Sequence, residues 1–432
     1  MGAIVGIRHE DKYELERRVP LVPEDVRELV NDSVEIHVQT CPKRIFKDAE
    51  YETAGAKVAD DLKEADVIFG VKEVTIPSFE DEKTYVFFSH IIKGQEYNMP
   101  MLKKMIDKKV NLIDYEKVED QNNRRLIFFG NYAGLAGMID TIWAVGLRLE
   151  YMGIKNPFKK LRQSRMYDSL TEAKAVLKEI SAEIAENGLP EEICPFVTGF
   201  TGYGNVSKGA QEIFDILPFE EITPDELMEL DKKKLSNKKL YKTVFREEHL
   251  AEKKDGGEFI LQEYYDHPER FKGVFEKYIP KMTVMMNCVF WTPKYPVLVS
   301  KEYLKNNYGK DFKMLAVGDV TCDVHGSVEC TELGTPIDDP IYVYNTKENT
   351  YKMGYEGEGL LVMSVDILPS ELPRESSEFF SRSLKPFVKA ISECDYTKPF
   401  SEITLPPEIK KALILLRGEF TPDYEYIQNY LK

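Results

Sequence analysis

The stretch that decides the fold is "GFTGYGNVSKGA", residues 199–210. It follows the apolar "ICPFV" and precedes Val206, Ala210, Ile213 and Leu217 at helical spacing, so it reads as a glycine-rich turn from strand to helix. A dinucleotide pyrophosphate needs a backbone it can approach closely and a helix N-terminus whose free N–H groups face its charge. Gly202 and Gly204 supply the approach. The third glycine of the common spacing falls at position 207, where the chain has Ser207; the next glycine is Gly209. A tight turn without a ligand carries the same local pattern, so the context has to decide. An acidic residue about twenty positions on would hold the ribose hydroxyls of NAD. "FEEITPDEL" offers Glu220, Glu221 and Asp225, while Lys232, Lys233 and Lys234 further on suit a 2′-phosphate. Spacing alone leaves NAD and NADP open.

Outward from this turn, "MTVMMNCVF", "MLAVGDV" and "GLLVMSVDILP" continue a second sheet, and the charged stretch from Asp231 to Phe259 reads as a partly helical insertion. Before the turn, strand-like "AIVGIR", "VEIHVQT", "ADVIFGVKE", "TYVFFSH" and "VNLIDYEKV" alternate with amphipathic segments, the pattern of a parallel, doubly wound sheet. A long apolar helix near "GNYAGLAGMIDTIWAVGLRLEYMG" leads out of this first part. "PRESSEFFSRSLKPFVKAIS" is strongly amphipathic, and the residues after it are too few for a domain, so they fold back onto the first. The expected fold is α/β with two doubly wound Rossmann-like domains. Residues 1–145 and 370–432 make a discontinuous substrate domain, and 146–369 a nucleotide domain inserted in it.

The 432 residues, 43% of them hydrophobic, suffice for two cores. With 74 Asp and Glu against 58 Lys and Arg the net charge is -16, which argues against nucleic acid and anionic membrane as partners. Six scattered cysteines without a CxxC pair read as reduced thiols, and no apolar run approaches a membrane span or signal peptide. A soluble cytoplasmic protein is the expectation. No His, Cys or carboxylate cluster has metal-ligand spacing, so no metal is expected.

His90 ends "TYVFFSH" and Lys72 ends "ADVIFGVKE", each at the carboxyl end of a strand, where α/β sheets carry their sites. Together they form a candidate acid/base pair, although a capping histidine and a solvated lysine occupy such positions too. Arg17 and Arg18, and Arg124 and Arg125, are paired guanidinium groups able to grip carboxylates or to form surface salt bridges. Asp366 either caps a following helix or faces a cofactor, and His325 lies in a loop after "MLAVGDV".

Taken together, "GIRHEDKYELERRVPLVPEDV", "VIFGVKEV", "FFSHIIKGQ", "LIDYEKVED", "FFGNYAGLAG", "GYGNVSKGAQEIF", "GDVTCDVHGSVE" and "SVDILPSELPRESSEFF" resemble the lysine-ketoglutarate reductase part of α-aminoadipic semialdehyde synthases. More distantly they resemble lysine-forming saccharopine dehydrogenases and alanine dehydrogenases. The resemblance covers nearly the whole chain. It implies condensation of L-lysine with 2-oxoglutarate and reduction of the imine by NADPH, with NADH as the alternative, to give saccharopine. It makes Lys72 and His90 the acid/base residues and places Arg18, Lys93, Glu116, Arg125 and Phe129 on the substrates. Gly202, Gly204, Asn205 and Val206 would line the pyrophosphate and Asp366, Ile367, Leu368 and Pro369 the nicotinamide, with Arg124 and Val289 also on the cofactor. The absence of a strand-end aspartate fits NADP, whereas "TCDVHGSVE" departs from the small residues usual in the reductase. Alternatives are the NAD-dependent lysine-forming dehydrogenase and a nucleotide-binding regulator without catalysis. A fused or associated saccharopine dehydrogenase, self-association and a mitochondrial location through a presequence are further implied.

Overall fold

Val5–Ile7, Val67–Phe69 and Thr84–Phe87 are buried at every position, as expected of parallel strands covered on both faces. In this computed structural model, which describes residues 3–230, 235–309 and 314–431, they lie at the centre of an eight-stranded sheet. Its order is Glu419–Phe420, Leu413–Leu416, Asn111–Asp114, Thr84–Phe87, Val67–Phe69, Val5–Ile7, Ile36–Gln39 and Lys57–Ala59. Six strands run parallel, and Leu413–Leu416 pairs antiparallel with Asn111–Asp114. The last residues of the chain thereby extend the sheet begun by the first. The Pro23–Asn31 helix opens with proline and carries Glu24 and Asp25 in its first turn, where the free N–H groups favour acids. It is tied to the Pro373–Ser392 helix: Ser381 Oγ donates to Asp25 at 2.6 Å and accepts from Val22 N at 3.0 Å. Two compact units result, the first made of the described residues up to Phe129 and from Pro373 onward, the second of Gly130–Leu372. The Gly130–Tyr151 helix thus falls wholly in the second unit, and the division precedes position 145, where the sequence places it. An apolar helix carries no local sign of which core it will join.

The second unit has its own eight-stranded sheet, in the order Thr350–Met353, Ile341–Asn345, Leu360–Met363, Ala316–Asp319, Val284–Asn287, Val197–Thr201, Leu240–Phe245 and Phe219–Glu221. The first two strands are antiparallel to their neighbours and the other six run parallel. One expectation is overturned here. Leu240–Phe245 lies inside the stretch read as a partly helical insertion, yet it is an inner strand beside Val197–Thr201. Lys242 disguised it: its ammonium is buried but paired with Asp215 at 2.8 Å and Glu221 at 3.2 Å, so a core strand carries a charge. The rest of that stretch includes, among its described residues, one short helix, Glu247–Leu250, and the strand Ala251–Lys253, which pairs with Phe271–Gly273 beyond it.

The Gly130–Tyr151 helix packs on Asn205–Phe214 at a separation that only glycine allows. A Cβ at Gly134 would stand 1.9 Å from the carbonyl oxygen of Val206, and one at Gly209 would stand 2.1 Å from that of Asn131. The displaced third glycine of the turn therefore serves contact between helices, while the fully buried Ser207 occupies the ordinary place.

Candidate functional site

In the first unit, parallel strands deliver their carboxyl ends to one edge of the sheet. Val67–Phe69 leads through Gly70 to Lys72 and Glu73, Thr84–Phe87 to Ser89 and His90, and Asn111–Asp114 to Glu116. Glu10, following the Val5–Ile7 strand, fixes the Lys72 loop by accepting from Val71 N at 2.8 Å and Lys72 N at 2.9 Å. Burial pushes the Glu10 carboxyl upward, against the pull of Arg8. His90 has a positive φ of 50° and turns Nδ1 to Glu73 Oε1 at 2.8 Å, where Lys12 Nζ also lies at 2.6 Å. Burial alone would raise Glu73, but its contacts with His90 and then Lys12 hold it down at about 2, so it is a carboxylate in the functional pH range. With Nδ1 donating to Glu73, Nε2 is the imidazole nitrogen left for proton exchange.

Arg18 is almost wholly buried and forms a two-point pair with Glu16, Nε at 2.8 Å and Nη2 at 2.6 Å. Its guanidinium lies 4.4 Å from the centre of the Phe129 ring, which stacks on Phe380 at 4.8 Å. Burial would raise the Glu16 carboxyl, but Arg18 holds it low with a smaller contribution from Lys72, which places a lysine charge close to this pair. The fork of Arg18 is thus spent on Glu16, and its Nη1 edge is what remains for a ligand. Arg125 lies 3.5 Å from Glu116 and beside the Phe88 ring. Asp114 joins the loops, accepting from Glu116 N at 2.8 Å and from both N and Oγ of Ser89; burial, then Glu116, pushes it up to about 6. Lys72, His90, Arg18, Glu116, Arg125 and Phe129 all lie in this unit, and Lys93 lies exposed in the turn after His90. Arg124 is elsewhere in the same unit, in a surface turn paired with Asp120 at 2.8 Å.

In the second unit, Val197–Thr201 runs into Gly202, whose φ of 80° suits glycine, and Gly204 caps the Asn205–Phe214 helix without a side-chain bond. A Cβ on Gly204 would meet nothing within 4 Å, so the turn is open towards solvent while the helix N–H groups behind it are free. The turn lies where the strand order reverses, between Leu240–Phe245 on one side and Val284–Asn287 on the other, the usual crevice for a nucleotide. Val289 abuts Gly202, and Thr321 Oγ1 donates to the Val289 carbonyl at 2.8 Å. Beneath them, Thr201, Asn287 and Asp319 link three strand ends at 2.9 and 2.8 Å. These residues fit a dinucleotide. Asp366 is exposed and caps no helix, whereas Ile367 and Leu368 are buried beside it and Pro369 is half-buried. The acids expected at the ribose are displaced: Glu220 and Glu221 are on the sheet's edge strand, and Asp225 is in the helix after it. The strand-end position next to the turn belongs instead to Arg246, missed because its strand was missed; "LYKTVF", six residues mostly suited to strands, was the available signal. Lys232, Lys233 and Lys234 lie outside the described residues. Among the described residues, no group of three or more His, Cys, Asp or Glu is placed to hold a metal, and no helix is long and apolar enough to cross a membrane.

Two sheets of this kind, one carrying titratable strand ends and the other a glycine turn at its switch point, define the Rossmann-like α/β class of alanine dehydrogenase and transhydrogenase. An L-alanine dehydrogenase structure matches with a TM-score of 0.64 at 18% identity, covering 99% of each chain. A transhydrogenase from Sinorhizobium meliloti matches with 0.57 at 15% identity, over 97% of this chain and 100% of that one. Residues 6–136 match the family described as alanine dehydrogenase/PNT, N-terminal domain. The chain is 38% identical to an α-aminoadipic semialdehyde synthase of Arabidopsis thaliana over 100% of its own length and 42% of the relative's. Against the mitochondrial α-aminoadipic semialdehyde synthase of Bos taurus it is 34% identical over 99% of its length and 48% of the relative's. A saccharopine dehydrogenase [NAD(+), L-lysine-forming] of Neurospora crassa is 28% identical over 90% and 91%. The chain is similar over its whole length to the α-aminoadipic semialdehyde synthases and, at lower identity, to the saccharopine dehydrogenases, and it spans about half the length or less of the synthases it matches.

Proposed function

We propose that this chain is an oxidoreductase of lysine breakdown that condenses L-lysine with 2-oxoglutarate and, with NADPH, reduces the imine to saccharopine. The observation that carries the reading is the His90–Glu73 pair beside Lys72 at adjacent strand ends, in a chain alike over its whole length to α-aminoadipic semialdehyde synthases. The lysine ε-amine must lose a proton before it attacks the keto carbon, and the resulting carbinolamine must expel water with the help of an acid. His90 Nε2 and the Lys72 ammonium share these roles, with Glu73 orienting the imidazole. Arg125 and the open edge of Arg18 hold substrate carboxylates, and Lys93 and Glu116 complete the polar lining around the Phe129 ring. Fixing both carboxylates removes the freedom that a bimolecular condensation would otherwise lose. A bound nicotinamide would supply the hydride, held through Gly202, Gly204, Asn205, Val206 and Val289, with Asp366–Pro369 beside it. All six cysteines are free thiols, which suits the cytosol or a mitochondrial matrix, and a saccharopine dehydrogenase, fused or separate, is the proposed consumer of the product.

The test is one assay: the protein with lysine, 2-oxoglutarate and either NADPH or NADH, followed by loss of nicotinamide absorbance and identification of the product. NADPH-driven formation of saccharopine is expected. Turnover with NADH alone would move the assignment to the lysine-forming dehydrogenase run in reverse, and none with either would leave a nucleotide-binding regulator.

A further inference from the structure

We infer that Arg246 reads the 2′-phosphate of NADPH, with the Tyr203 ring of the glycine turn holding its guanidinium in place. The inference rests on the dinucleotide reading of that turn and adds the residue that would select the phosphorylated cofactor. In a parallel sheet of this kind the adenosine ribose lies at the end of the strand beside the glycine-turn strand, where NAD proteins present a carboxylate and NADP proteins a cation. That neighbour is Leu240–Phe245, not the sequence-adjacent Phe219–Glu221, which lies one strand further out. Thr201 pairs with Phe245, and Gly202 N donates to the Phe245 carbonyl at 2.9 Å, so the residues that leave the two strands together are Tyr203 and Arg246.

The strand's last residue is a buried phenylalanine, so no carboxylate occupies the usual ribose position. Arg246 follows it, exposed, with its guanidinium carbon 4.9 Å from the centre of the Tyr203 ring. Among the described residues it makes no ion pair. The neighbouring charges differ in this respect: Lys242 is locked by Asp215 and Glu221, and Glu247 accepts from Tyr265 Oη at 2.7 Å. A guanidinium laid over an aromatic ring keeps its edge N–H groups in the ring plane's direction, free for a phosphate. Glu247 and Glu248 follow in the next turn, and Glu247 is the carboxylate that acts most strongly on the Tyr203 hydroxyl; these two acids are the groups suited to ribose hydroxyls instead, and they supply the opposing outcome.

The experiment is calorimetric titration of the full chain with 2′,5′-ADP and with 5′-ADP, for the wild type, Arg246→Ala and Arg246→Lys. The wild type should prefer 2′,5′-ADP. Arg246→Ala should lose about ten- to a hundredfold for 2′,5′-ADP, the value of one or two charge-assisted hydrogen bonds, and keep its affinity for 5′-ADP. Arg246→Lys should recover part of the loss. Unchanged 5′-ADP binding also shows that the variants are folded. A wild type that prefers 2′,5′-ADP beside an Arg246→Ala variant that prefers it equally would overturn the role of Arg246 and leave the NADPH reading standing. A wild type favouring 5′-ADP would overturn both, while saccharopine formation with NADH would still report on the reductase reaction separately.

Discussion

Replacing Gly134 by alanine sets two effects of opposite sign against each other. Alanine in a helix interior is worth about 1 kcal/mol over glycine, so propensity alone predicts a stabler Gly130–Tyr151 helix. The new Cβ, however, would stand 1.9 Å from Val206 O and 2.7 Å from Ala210 N, both rigid backbone atoms of the facing helix. That is about 1.5 Å short of ordinary contact, too much for side-chain adjustment, so the helices must separate. Overpacking of this kind costs about 1–3 kcal/mol, and with lost contacts along both helices a net destabilisation of about 2 kcal/mol is expected. Both tryptophans, Trp143 and Trp291, lie in the second unit, so fluorescence during urea denaturation reports that unit without interference from the first. The expected result is a lower midpoint with an unchanged slope. Because Val206 belongs to the turn proposed to hold the pyrophosphate, 2′,5′-ADP binding should weaken as well. A midpoint that rises, with nucleotide affinity intact, would refute the close-packing argument and leave propensity as the stronger effect.

In turnover assays, His90→Ala and Lys72→Met should each lower kcat by at least a hundredfold and leave nicotinamide affinity within a few-fold; near-normal rates in both would remove the acid/base assignment. Glu73 lies at about 2 in the fold against an ordinary 4.5, so it stabilises the native state above about pH 4.5 and loses that contribution as pH falls towards 2. The difference is worth roughly 3 kcal/mol, and Glu73→Gln should flatten acid unfolding in that window when hydrogen exchange is read at the Val67–Phe69 strand. Glu371 has the opposite sign. It is buried and hydrogen-bonded to Asp140, and desolvation followed by that neighbour pushes its carboxyl well up, so one shared proton is retained in the fold. Stability from this pair is complete below the ordinary carboxyl range and declines as pH rises, and Glu371→Gln should be less sensitive to alkali than the wild type by tryptophan fluorescence.

The parts of the fold legible in the sequence were those whose cause is local. "AIVGIR" and "TYVFFSH" announce buried parallel strands because no charged residue interrupts their apolar runs, and Lys72 and His90 stand out because each ends such a run. Leu240–Phe245 did not stand out because the partners that neutralise Lys242 come from two other segments, Asp215 after one helix and Glu221 on the edge strand. The odd glycine spacing has the same origin, since Gly209 answers to Asn131 and its counterpart Gly134 to Val206, contacts between segments far apart in the chain. At the strand-end site, Glu16 is legible as an acid near Arg18, but that it consumes the arginine's fork is a fact of tertiary geometry. The consequence reaches function. Counting charges after the glycine turn leads to Glu220, Glu221 and Asp225, and so towards an NAD ribose. Strand order, which no local pattern reveals, moves the proposed ribose position to the end of Leu240–Phe245, which Arg246 follows. The choice between the two cofactors is therefore a question about which strand lies next to Val197–Thr201, and only secondarily about which charged residue follows the turn.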